Sequence, residues 1–139
     1  MKQYHLNKLS PELGAEISGI DLSKDFNEEI QNKIYDDLIN YKVLFFREQN
    51  ITPQFHVEFA KSFGSIEEPH PVYPHVEGFP EIVLLENDKD NPPDTDEWHT
   101  DVTFKNDPPF ASILYSKIIP EVGGDTLWLS LIHISEPTR

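Results

Sequence analysis

The residue types best suited to chemistry in this chain sit in one heptapeptide, Trp98-His99-Thr100-Asp101-Val102-Thr103-Phe104. On a strand, residues i and i+2 face the same side. His99 and Asp101 would then project an imidazole nitrogen and a carboxylate oxygen toward one cation. Two such ligands are two corners of the 2-His-1-carboxylate triad that holds non-haem Fe(II) and leaves positions open for O2 chemistry. A His-x-Asp pair by itself is most often a surface pair, so its setting has to carry the argument. The chain has no Cys, which excludes a disulfide framework, a thiolate metal site and a thiol nucleophile. Any metal must be held by His, Asp or Glu.

Upstream of the heptapeptide, seven acidic residues and one Lys fall between Glu86 and Asp101. Most of these carboxylates read as a solvated loop. Downstream come Pro108-Pro109 and Gly123-Gly124-Asp125-Thr126-Leu127-Trp128. A Gly-Gly pair before a strand is ordinarily a turn. Thr126 serves equally as a β residue or as a hydroxyl donor to a ligand carboxylate.

The elements that must position these residues follow from pattern. Asn27 can cap a helix over residues 27–40, with Glu28 and Glu29 at its positive end and Ile30, Ile34 and Leu38 along one face, flanked by Tyr35 and Ile39. A buried strand is expected over 43–46. Thr52 as N-cap, Pro53 at the first helical position and Gly64 as a stop bound a second helix, with Phe55, Phe59 and Phe63 every four residues. Further strands are expected over 82–85, 98–104, 112–116 and 126–129. Residues 69–120 carry nine of the twelve prolines, which predicts short strands and fixed loops there. The fold class expected is mainly β, with helices packed outside the core.

Length and charge narrow the function classes. The 139 residues suit one domain. With 25 Asp+Glu against 11 Lys+Arg, the net charge is −14, which argues against general nucleic-acid binding and against a polybasic membrane-surface role. No apolar run approaches the ~20 residues that span a bilayer, and the polar start shows no secretory signal. A cytoplasmic protein is the default expectation. Association into a homo-oligomer is left open.

Taken together the segments resemble the taurine/2,4-dichlorophenoxyacetate dioxygenase family of Fe(II)- and 2-oxoglutarate-dependent oxygenases, most of all its taurine-acting members. The matching stretches are Leu13-Gly14-Ala15-Glu16-Ile17-Ser18-Gly19-Ile20-Asp21-Leu22, Val43-Leu44-Phe45-Phe46-Arg47, His70-Pro71-Val72-Tyr73-Pro74-His75, Asp90-Asn91-Pro92-Pro93, the heptapeptide itself and the Gly123–Trp128 stretch. They occur in the family's order across nearly all of residues 4–129.

The resemblance implies a double-stranded β-helix (a jelly roll) with flanking helices, truncated here after its first part. It implies His99 and Asp101 as the first two iron ligands and Thr126 as a hydrogen-bond partner of a 2-oxoglutarate carboxylate. His70, Tyr73 and the backbone of Val102 match positions that line the sulfonate pocket. Without the resemblance, His70 would read as a loop residue between prolines. His75 reads as a loop residue, and His5 and His56 as surface positions. At Thr95 the taurine-acting members have Asn, so the polar group there is shorter.

The implied reaction consumes a small sulfonate such as taurine, 2-oxoglutarate and O2. It yields succinate, CO2, an aldehyde and sulfite. Members acting on alkyl sulfate esters or aryloxyacetates are the near alternative, and a non-catalytic truncated jelly-roll binding module is the distant one. The family's second iron His and its 2-oxoglutarate Arg come later in the chain. After Asp101 the only His is His133 and the only Arg is Arg139, both in the stretch 130–139. That stretch resembles a translated adapter rather than the family. Residues 1–129 are therefore expected to be the N-terminal part of an oxygenase domain and residues 130–139 a non-native tail. Neither His133 nor Arg139 is assigned the missing roles.

Overall fold

The structure is a computed structural model and describes residues 4–90, 92, 98–102 and 104–130. The chain divides into two compact units, residues 1–50 with 115–139, and residues 51–114.

The first unit is built around a three-stranded sheet. Strand β1 (His5–Lys8) pairs antiparallel with β2 (Ala15–Ser18), His5 opposite Ser18 and Lys8 opposite Ala15. The turn between them closes through Leu9 N–H donating to Gly14 O at 3.0 Å. Gly14 has φ +88°, a conformation that only glycine adopts without strain. Strand β2 pairs parallel with β3 (Leu44–Phe46), Ala15 opposite Leu44 and Ile17 opposite Phe46. Parallel neighbours need a crossover, and helix supplies it. After the single turn α1 (Leu22–Asp25), helix α2 (Glu28–Tyr41) carries the chain from β2 back to β3.

Helix α2 begins where the sequence predicts. Asn27 accepts from Ile30 N–H at 3.1 Å, and Ile30 and Ile34 are buried. Tyr35 and Ile39, on the flank, are exposed. The helix stops at Lys42, whose φ of 67° turns the backbone so that its N–H still reaches Leu38 O at 2.8 Å. Gln49 ties the sheet exit to α1: its side chain accepts from Leu22 N–H at 2.9 Å and donates to Ile20 O at 3.0 Å and Arg47 O at 2.8 Å.

In the second unit, helix α3 (Pro53–Lys61) starts at the Thr52 cap, whose hydroxyl accepts from Phe55 N–H at 3.1 Å. Phe55 and Phe59 stack at 5.9 Å, and Phe59 meets Phe63 edge-on at 5.1 Å. The helix packs on β5 (Phe79–Val83), which forms an antiparallel hairpin with β4 (His75–Val76). Gly78, at φ +78°, makes the turn.

Several expectations are corrected. The strand at 43–46 is three residues long and half-buried rather than buried. The strand expected over 82–85 begins earlier, at Phe79, and Leu84 and Leu85 are exposed. The described residues of 98–104, 112–116 and 126–129 form no strand. Apolar and β-branched side chains favour a strand only where a neighbour pairs the backbone. No described strand pairs with those stretches. Helix α2 has 14 residues and no strand exceeds five, so helix and strand both contribute to the described residues. They close no double-stranded β-helix. The expected tail over 130–139 lies, apart from Ser130, outside the described residues.

One half-buried polar cluster pins the start of the chain to α2. Tyr4 donates to Asp37 Oδ2 at 2.5 Å, while Lys33 bonds the same oxygen at 2.8 Å and lies 3.8 Å from the Tyr4 ring centroid. Burial, then the Asp37 carboxylate, push the Tyr4 phenol well above the usual tyrosine range. The unfolded phenol ionises near pH 10 and the folded one only at higher pH. Above pH 10 the unfolded state therefore holds fewer protons, and stability falls as pH rises. Tyr4→Phe is expected to cost about 1–2 kcal/mol at neutral pH and to flatten the alkaline decline. Urea midpoints for both chains between pH 7 and 11 check both points.

Candidate metal and substrate site

His99 and Asp101 do converge, but not through a strand. Residues 98–100 are irregular and Asp101 and Val102 form a turn. Val102 takes φ 55°, closed by Lys105 N–H donating to Val102 O at 3.2 Å. The turn sets His99 Nε2 3.4 Å from Asp101 Oδ1, an ion pair when the imidazole is protonated. Two donors at right angles on a cation with bonds of about 2.1 Å sit about 3 Å apart. The observed spacing suits two cis ligands of one divalent metal, and the nitrogen and oxygen donors suit iron. The side chains are 56% and 61% exposed, open to an incoming ion. Among the described residues no group of three His, Asp or Glu gathers at one point. The residues present therefore fit two positions of the triad.

A β-branched residue at positive φ is a genuine outlier. Beside the strained turn, Lys105 forms an ion pair with Glu67, across 38 positions of sequence. That separation explains why sequence spacing did not reveal this tie.

The His70–His75 loop folds on itself. The His70 Nδ1 atom accepts from the N–H groups of Val72 and Tyr73, each at 3.3 Å. Its ring lies 4.6 Å from the Tyr73 ring, tilted by 37°. Sequence reasoning placed His75 in a loop; it opens strand β4, and its Nε2 lies 2.9 Å from His70 O. His56, read as a bland surface residue, is half-buried with Nε2 3.1 Å from Ile113 O. Neither contact has a spacing signal in sequence. Thr95 lies outside the described residues.

Thr126 belongs to the first unit, with an exposed side chain. It lines an open cleft of about 240 Å³ with Ser10, Gly14, Phe45 and Trp128. His70, Tyr73, His99, Asp101 and Val102 all belong to the second unit.

The left-handed turn yields a stability test. A non-glycine residue there costs roughly 1–2 kcal/mol, against roughly 0.5–1 kcal/mol of extra chain entropy lost by Gly. Val102→Gly is therefore expected to leave stability unchanged or raise it by up to about 1 kcal/mol, whereas a strand residue replaced by Gly would lose stability. Thermal melts of the two chains decide between turn and strand.

Comparison with known proteins places these features in one setting. Residues 5–136 match the family described as taurine catabolism dioxygenase TauD, TfdA family. The chain is 43% identical over 128 residues to an alkylsulfatase of Acinetobacter baylyi, covering 91% of this chain and 39% of that protein. It is 40% identical over 134 residues to an α-ketoglutarate-dependent sulfate ester dioxygenase of Pseudomonas putida, covering 91% and 43%. The chain thus spans about 40% of the length of these curated relatives. A crystal structure of a taurine dioxygenase from Burkholderia xenovorans superposes with a TM-score of 0.53 at 36% identity, over 60% of this chain and 31% of that one. With nearly its whole length matched in order, from β1 through the His99–Asp101 turn and beyond Thr126, the chain belongs to the TauD/TfdA family of dioxygenases.

Proposed function

We propose that the chain is the N-terminal part of an Fe(II)- and 2-oxoglutarate-dependent dioxygenase that oxidises the carbon next to a sulfur oxyanion, in a small sulfonate such as taurine or in an alkyl sulfate. The observation that carries the reading is the 3.4 Å approach of His99 Nε2 to Asp101 Oδ1 in a chain of this family. Such a pair would hold two positions of the iron.

When bound, the iron supplies the O2 chemistry, coupled to decarboxylation of 2-oxoglutarate to succinate. The chain's own residues bind and orient. Asp101 contributes the anionic ligand and His99 the neutral one. The Thr126 hydroxyl donates to a 2-oxoglutarate carboxylate. His70, with Nδ1 occupied by the loop backbone, offers its Nε2–H to a sulfur-bound oxygen. Tyr73, Thr95 and the Val102 backbone line the same substrate. Hydroxylating the carbon that bears a sulfonate gives a product that collapses to aldehyde and sulfite. The same step on an alkyl sulfate ends in aldehyde and sulfate.

A specific observation favours the sulfate ester as the second substrate class. The relatives at 43% and 40% identity bear names for alkyl sulfate and sulfate ester chemistry. Thr95 also replaces the Asn of taurine-acting members.

The test assays the full-length protein with taurine, a plain alkanesulfonate and an alkyl sulfate, scoring succinate, sulfite and sulfate. Succinate is expected together with sulfite or sulfate from at least one substrate. Release of neither from any of them ends the reading. Asp101→Ala is expected to reduce turnover by more than about 100-fold, since removing even an outer partner of a metal ligand costs 10–100-fold. Unchanged succinate release in that variant would remove Asp101 from the site.

A further inference from the structure

Loop 70–75 holds a second imidazole that the assignments so far leave without a role. A carbonyl oxygen can only accept, so the contact from His75 Nε2 to His70 O at 2.9 Å makes His75 the donor. The hydrogen of a neutral His75 ring then sits on Nε2, and Nδ1 is a bare acceptor. That Nδ1 is buried and has no hydrogen-bond partner among the described residues. Packing alone would be better served by an apolar ring, because a buried unpaired acceptor is unfavourable. What histidine adds here is the one N–H directed at the His70 carbonyl.

His70 is itself fully engaged on its loop side. Its Nδ1 accepts from Val72 and Tyr73, so its hydrogen sits on Nε2. The His70 carbonyl is held by His75 while the His70 ring is held by two backbone amides. Backbone and ring of one residue are thus both held within six positions of sequence. The Tyr73 ring, 4.6 Å away, closes one face.

We infer that His75 is a positioning residue for His70: by holding the His70 carbonyl it keeps the loop in the shape in which the Val72 and Tyr73 amides fix the tautomer and direction of the imidazole that meets the substrate's anionic head. This rests on the reading of His70 as the substrate donor. Its ligand class is a tetrahedral sulfur oxyanion, and the probe is methanesulfonate.

The experiment uses the whole 139-residue chain and three forms: wild type, His75→Phe and His75→Gln. Phe keeps an aromatic ring and removes the N–H, whereas the Gln amide can donate to the same carbonyl. Long-range proton–nitrogen NMR spectra report the His70 tautomer, and a methanesulfonate titration follows the His70 ring signals. Backbone amide signals of α3 confirm that each variant is folded. The wild type is expected to show a single His70 tautomer with hydrogen on Nε2. In His75→Phe this should become a mixture, and methanesulfonate should bind about tenfold more weakly. His75→Gln should restore both. A folded His75→Phe chain with the wild-type His70 tautomer and unchanged affinity would overturn the inference, as would His75→Gln behaving like His75→Phe. If His75→Phe does not fold, His75→Gln alone decides: a single Nε2 tautomer supports the clamp and a mixture refutes it. Failure of methanesulfonate to bind the wild type counts against the sulfur-oxyanion reading alone. The tautomer spectra still decide the role of His75.

Discussion

Strand β2 has a hydrogen-bonding partner along each edge, and the first unit follows from that constraint. A central strand exposes neither row of backbone groups, so its inward side chains can be wholly apolar. Ala15 and Ile17 are both 0% exposed. One partner, β1, arrives through a tight turn and must run antiparallel. The other, β3, runs parallel, and the chain has to return through α2 to reach it. The intervening Glu16 points away from Ile17 and pairs with Arg47 at 2.8 Å, at the end of β3. Polar ties then secure the periphery: Tyr4 to Asp37, Gln49 to Leu22 and Ile20.

The second unit solves the same backbone problem by other means. Its stretch 65–75 is rich in proline, and proline supplies no amide hydrogen for a sheet. Side chains take over as partners. His70 accepts two amides and His75 serves a carbonyl, while the backbone N–H of Lys105 closes the turn that contains Val102. The candidate site is therefore built from loops whose shape is held by their own polar groups rather than by a ladder. Such loops can place His99 beside Asp101 and carry a positive φ at Val102 that a strand would forbid.

Beyond residue 103 the apolar side chains have little to pack against among the described residues. Phe104 is 87% exposed, Ile118 88% and Val122 91%. These are residues of core type, and the curated relatives are more than twice as long as the matched region. The contrast with Ile17 shows that apolar character decides burial only where a partner surface is within reach.

How much was legible in the sequence divides along local and non-local lines. Helices α2 and α3 were readable because their caps, Asn27 and Thr52, and their apolar spacing all act within one or two turns. The His99–Asp101 pair was readable as a pair because two residues apart is a short-range relation, and their side chains meet. Its mechanism was not: the sequence pattern called for a strand, and the tertiary structure put a left-handed turn at Val102 instead. The strands expected over 112–116 and 126–129 failed for the same reason. A strand is a relation between two segments, and no local pattern reports whether the second segment is present. His75 reads as a plain loop residue in the sequence, because a carbonyl acceptor five residues back leaves no mark on residue type. The sequence by itself determined helices α2 and α3 and the pairing of His99 with Asp101. Only the tertiary structure decided which segments find a pairing edge and how the 70–75 loop closes on itself, because a strand pair joins groups far apart in the chain and the loop follows backbone dihedrals that residue type leaves open.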